Sequence, residues 1–112
     1  MTGQPASAFE KYIAELVVAV RALPEVIGLV LLGSTADRAR VDQWSDHDFA
    51  VIVEPGAAAH LLGDPSWLPE PTNIAMVMPD SPDGRRVMYS DGRMLEYAIT
   101  DPAGLATWFA NE

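Results

Sequence analysis

Apolar positions near the start of the chain recur at helical spacing. Phe9, Ile13, Leu16, Val17 and Val20 share one face. Ser7 and Glu10 have the S-x-x-E spacing of a capping box, and Pro24 ends the pattern because it lacks an N–H and clashes with the preceding turn. Val26 to Leu32 is an unbroken apolar run of the kind expected for a buried strand, stopped by Gly33-Ser34. Thr35 to Asp42 is polar and fits a short helix followed by a loop. His47 to Val53 reads as a second strand, with Asp46 and Asp48 at its start and Glu54-Pro55-Gly56 at its end.

Ala57 to Leu62 predicts a short helix. Gly63 to Thr72 is rich in proline and reads as a loop pinned by Trp67 and Leu68. Asn73 to Met78 predicts a third strand, and Pro79 to Gly84 a turn-rich connection. Arg85 to Ser90 and Arg93 to Thr100 predict a hairpin around Asp91-Gly92, a type I′ turn signal. Asp101-Pro102 opens a last helix, with Asp101 as N-cap and Pro102 at the first helical position. Leu105, Trp108 and Phe109 form its apolar stripe. Three late strands joined by turns cannot all be parallel. The expected fold is therefore α+β: a mixed, largely antiparallel sheet of about five strands, with helices packed mainly on one face.

Composition narrows the classes. The 112 residues fit a single domain, 1–112, and 49% hydrophobic content supports a core rather than disorder. No cysteine is present, which excludes disulfide and thiol chemistry. No apolar run reaches the roughly 18 residues of a membrane span, and the N-terminus lacks the layout of a signal peptide. A cytoplasmic protein that does not engage membranes is the expectation. Sixteen Asp and Glu against seven Lys and Arg give a net charge of −9. That balance argues against general DNA binding, which needs a basic face.

The chemistry concentrates in Gly33 to Val53, GSTADRARVDQWSDHDFAVIV. Asp46 and Asp48 are two apart at a strand start, so both carboxylates point to one face. Such a pair repels unless a cation sits between the two, and all-oxygen ligands suit Mg²⁺. Upstream, the backbone N–H groups of Gly33-Ser34 and the Ser34 hydroxyl can hold phosphate oxygens where a strand meets a helix start.

This segment resembles the DNA polymerase beta-like nucleotidyltransferase superfamily. In that family a Gly-Ser after the first strand is followed, about ten residues on, by Asp-x-Asp on the next strand. A third acid comes from a later strand. Here eleven residues separate Ser34 from Asp46. The string Trp44-Ser45-Asp46-His47-Asp48 is most similar to the aminoglycoside adenylyltransferase and minimal nucleotidyltransferase branches. The resemblance implies that Gly33 and Ser34 bind the triphosphate and that Asp46 and Asp48 bind two Mg²⁺ ions, with Mn²⁺ as a substitute. Glu96, the carboxylate inside a predicted late strand, is the candidate third metal ligand and proton acceptor; its alternative role is to pair with an arginine. A two-residue Asp91-Gly92 turn places Arg85 on the face of Glu96, which makes Arg85 a candidate phosphate contact.

The implied reaction transfers an NMP, AMP first, from ATP or another NTP to a hydroxyl with release of pyrophosphate. The acceptor is a small molecule, a protein or a tRNA end. Two features depart from the family: Asp37-Arg38 stands where an Arg-Gly pair is common, and the helical acceptor-binding domain of similar adenylyltransferases is expected to be absent. The second departure supports an alternative, a non-catalytic or antitoxin-type interaction module acting with a partner protein. A homodimer or a helical partner would then use the C-terminal helix. A haloacid dehalogenase-like site is disfavoured by Ala50, and an EF-hand lacks its glycine and distal Glu. Ser34 has no G-x-S-x-G context for a nucleophile. His47 reads as structural, on the face opposite the two acids, and His60 as a surface residue. Trp44 reads as a packing residue, and Asp37 and Asp42 as solvated loop acids.

Overall fold

In the computed structural model, residues 4–32 and 47–110 are described. Helix α1 runs Gln4–Arg21, β1 Val26–Leu32, β2 His47–Val53 and α2 Ala58–Gly63. Two single turns of 3-10 helix follow at Pro65–Trp67 and Pro71–Asn73. Next come β3 Ile74–Ser81, β4 Gly84–Tyr89, β5 Met94–Thr100 and α3 Pro102–Ala110. The five strands form one sheet in the order β1-β2-β5-β4-β3. Only the β2–β5 pair is parallel; the other three are antiparallel. This is the expected mixed α+β sheet. Among the described residues, no helix is long and apolar enough to cross a membrane.

The core lies on the α1 side of the sheet. Tyr12, Leu16 and Val20 of α1 pack on Phe49, Val51 and Val53 of β2, and on Leu95, Tyr97 and Ile99 of β5. Leu61 of α2 and Leu68 of the proline-rich loop close the layer. Trp67 supports that loop by donating from Nε1 to the Leu61 carbonyl at 3.1 Å and by standing edge-on to Tyr97. β2 is covered on both faces: every residue of it is buried except the half-buried Asp48. His47 points into the core, with its ring stacked on Phe9 at 3.9 Å and Nε2 3.3 Å from the Phe9 carbonyl. His60 is exposed.

Several boundaries differ from the sequence reading. α1 starts at Gln4, with Pro5 in its first turn, so Ser7 lies inside the helix and is not its cap. β1 is an edge strand. Its Ile27, Val30 and Leu32 are 58%, 37% and 43% exposed, because an apolar run identifies a strand but not its position in the sheet. β3 continues through Pro79 to Ser81, which is permitted at the other edge, where a missing N–H costs no ladder bond.

The largest correction is the hairpin. Tyr89 N–H donates to the Arg93 carbonyl at 2.8 Å, and the pairs Met88–Met94, Val87–Leu95 and Arg86–Glu96 follow. The loop is thus Ser90-Asp91-Gly92, three residues rather than two. Gly92 takes the left-handed conformation at φ 93°, as a three-residue hairpin loop with a bulge requires. The Asp91 carboxylate accepts from the Arg93 N–H at 3.1 Å and so fixes the turn from within.

At this end of the sheet a polar cluster ties the loop to the core. The Tyr89 hydroxyl donates to the Pro69 carbonyl at 2.6 Å, leaving its oxygen to accept from Tyr12 at 2.7 Å. Arg93 lies over the Tyr89 ring at 4.7 Å and pairs with Glu70 at 2.9 Å and Asp91 at 2.8 Å. Burial, reinforced by the Tyr89 bond, holds the Tyr12 phenol above its ordinary range.

Tyr89→Phe strips partners from two buried polar groups at once, whereas Tyr12→Phe removes one donor. Tyr89→Phe is expected to cost about 1–3 kcal/mol and Tyr12→Phe about 1 kcal/mol in urea unfolding; equal or reversed costs would contradict the assignment of donors.

Hydrogen bonds from Arg93 hold the Glu70 and Asp91 carboxyls below their ordinary range. Their contribution is complete above about pH 4.3, the carboxylate range of the unfolded chain, and fades as pH falls through the depressed values. Arg93→Gln should therefore lower Tm at neutral pH and flatten the fall of Tm between about pH 5 and pH 3.

Candidate active site

The parallel pairing of β2 with β5 creates the site. Its register sets Asp48 directly beside Glu96. Each acid sits between core-facing neighbours, His47 and Phe49 around Asp48 and Leu95 and Tyr97 around Glu96. Alternation therefore turns both carboxylates to the face away from α1. Neighbouring strands lie about 4.8 Å apart, so the two groups are within reach of a common ligand.

They line a cleft of about 330 Å³ on the sheet face away from α1, with Leu32, Ala98, Asp80 and Trp108 around them. Trp108 arrives because α3 turns back after β5. Its start is fixed by Asp101, whose side chain accepts from the Gly104 N–H at 2.8 Å, as an N-cap does. Leu32, the last described residue before Gly33, pairs with Asp48. Gly33, Ser34 and Asp46 lie outside the described residues, as do Asp37, Asp42 and Trp44.

A cation that the sequence reading missed stands beside two of the acids that line the cleft. Arg86 is opposite Glu96 in the β4–β5 ladder. Its Nη2 is 3.4 Å from Glu96 Oε1 and 3.8 Å from Asp80 Oδ1. Both contacts are longer than a good hydrogen bond, and the Arg86 and Glu96 side chains are 45% and 44% exposed. Glu96 thus has the arginine partner weighed as its alternative role.

Arg85, the residue expected here, pairs with Tyr97 and lies on the other face. It donates to the Gly84 carbonyl at 2.7 Å and the Ser81 carbonyl at 3.1 Å. The one-residue change of register exchanges the two arginines between faces. The clue available in the sequence was Ser90 before Asp91-Gly92, which permits a three-residue loop. Below the cleft floor, burial pushes the Tyr97 phenol up to about 12, and Tyr97 stacks on Phe49 at 5.3 Å across the same strand pair.

Divalent-cation binding can be judged here by donor chemistry. Among the described residues no three Asp, Glu, His or Cys side chains converge. Asp48 and Glu96 are nevertheless two carboxylates on directly paired residues, the hard-oxygen set that Mg²⁺ and Mn²⁺ take. The long contact to Arg86 holds Glu96 only weakly. These residues fit such an ion.

No protein-family profile matches the chain, and no curated protein does. Solved structures are similar in fold. The STING-associated CdnE c-di-GMP synthase of Capnocytophaga granulosa aligns with a TM-score of 0.50 at 21% identity, over 89% of this chain and 33% of that one. The CD-NTase CdnG of Bradyrhizobium diazoefficiens, in complex with GTP, aligns at 0.56 and 20%, over 87% and 33%. A cytoplasmic RNA terminal U-transferase aligns at 0.57 and 14%, over 83% and 29%. The chain therefore spans about a third of each of these proteins. What the chain shares with them is the nucleotidyltransferase fold, here, among the described residues, a five-stranded mixed sheet with three helices.

Proposed function

We propose that the chain is the catalytic domain of a metal-dependent nucleotidyltransferase that moves an NMP, AMP first, from an NTP to a hydroxyl acceptor. The observation that carries this reading is the side-by-side placement of Asp48 and Glu96 on adjacent parallel strands. The fold shared with CdnE, CdnG and the U-transferase supports it, as does the Gly33-Ser34 and Asp46-x-Asp48 spacing.

Asp46, Asp48 and Glu96 are the residues that hold Mg²⁺ or Mn²⁺ in this reading. When bound, such ions neutralise charge on the triphosphate and acidify the attacking hydroxyl. Gly33 and Ser34 hold phosphate oxygens and fix the donor in the cleft. The acceptor oxygen bonds to the α-phosphorus as the bond to the β-phosphate oxygen breaks, and pyrophosphate leaves. Glu96 takes the hydroxyl proton; a carboxylate has lone pairs enough to be ligand and base together. The acceptor is a small molecule, a protein or a tRNA end.

Mn²⁺ with ATP or GTP at about a hundred times Kd should raise the folding free energy by about 2.7 kcal/mol, seen as a higher Tm. Asp48→Asn should abolish that shift. The same shift in wild type and variant would remove Asp48 from the site. In assays of pyrophosphate release with hydroxyl acceptors, Asp46→Ala and Glu96→Gln should each lower the rate by about a hundred-fold or more, on the scale of a lost electrostatic or proton-transfer contribution.

A further inference from the structure

We infer that Arg86 is a phosphate-binding residue of this site and that, without nucleotide, it competes with the divalent cation for Glu96. The inference rests on the nucleotidyltransferase reading and assigns the site a residue that the family motif does not contain. Arg86 is held in place by the β4–β5 register, directly across from Glu96. Its guanidinium bridges Glu96 at 3.4 Å and Asp80 at 3.8 Å. Asp80, Glu96 and Asp48 all line one cleft in a chain of net charge −9. A triphosphate brought next to these acids is favoured by positive charge beside them, and Arg86 contacts two of the three.

Arg86 supplies that charge in a form suited to the task. A guanidinium presents several donors in a planar fork that matches phosphate oxygens. Its present partners hold it loosely, through long contacts and with 45% of its side chain exposed. Exposed ion pairs of this kind are weak, so Arg86 can leave Glu96 at small cost once a cation arrives there. Its freed donors are then available to the phosphates. Metal alone must displace a like charge from Glu96, whereas metal with nucleotide gives Arg86 a better partner. Entry of the two ligands is thereby coupled.

The test is equilibrium binding to the full chain of Mn²⁺ alone, and of the α,β-methylene analogues of ATP and GTP with Mn²⁺ present. Arg86→Gln is expected to bind Mn²⁺ alone about two- to five-fold tighter and the better of the two analogues about ten-fold weaker. Arg86→Lys, which keeps charge but loses the fork, should lie between wild type and Arg86→Gln in both measurements. Unchanged or weaker Mn²⁺ binding by Arg86→Gln overturns the inference, as does unchanged analogue binding. Asp48→Asn separates the two levels of the account. If it abolishes Mn²⁺ binding while Arg86→Gln is neutral, only the role of Arg86 fails. If Mn²⁺ binding ignores Asp48, the reading of the site fails and the inference with it.

Discussion

The structure depends on the parallel pairing of β2 with β5. Among the described residues, every other strand contact is antiparallel and is made between neighbours in the chain. This one joins segments nearly fifty residues apart, Asp48 with Glu96 and Ile52 with Thr100. It places two apolar strands at the centre of the sheet, where Phe49 and Tyr97 stack across the seam under α1. Because side chains alternate, a seam that is apolar on the α1 side turns its intervening acids to the opposite face. Core and candidate site are two sides of one register. A slip of one residue would bury Asp48 and Glu96 and expose Phe49 and Tyr97, at a cost in desolvated charge that the fold could not meet.

That constraint explains what was legible in the sequence. β1 and β2 fall where the apolar runs and their stops placed them, since Val26–Leu32 and His47–Val53 are bounded by strong breakers. The face of Glu96 was legible too, because Leu95, Tyr97 and Ile99 alternate around it. Arg85 was assigned to the wrong face because hairpin register depends on one residue of loop length. Asp91-Gly92 fits a two-residue turn, yet the Asp91 carboxylate and the left-handed Gly92 build a three-residue loop. Arg86 was missed for the same reason. The exposure of β1 was hidden because an edge strand and a central strand share one apolar pattern. Tyr12 interrupts the simple apolar stripe of α1, and its burial is comprehensible only with Tyr89 and Pro69 beside it.

The polar cluster and the cleft lie on opposite faces of the sheet and obey different rules. Around Tyr12, Tyr89, Arg93, Glu70 and Asp91, contacts are short and charge is matched by partners within the cluster. Where Arg86 meets Glu96 and Asp80, contacts are long. The first arrangement is that of a structural tie. The second leaves the Arg86 and Glu96 side chains loosely paired and nearly half-exposed.

The most direct measurement is a crystal structure with Mn²⁺ and a non-hydrolysable NTP analogue, with the metal located by its anomalous signal. The account predicts a peak between the Asp48 and Glu96 carboxylates, with the triphosphate beside it. A peak elsewhere, or a nucleotide bound away from this pair, would contradict it.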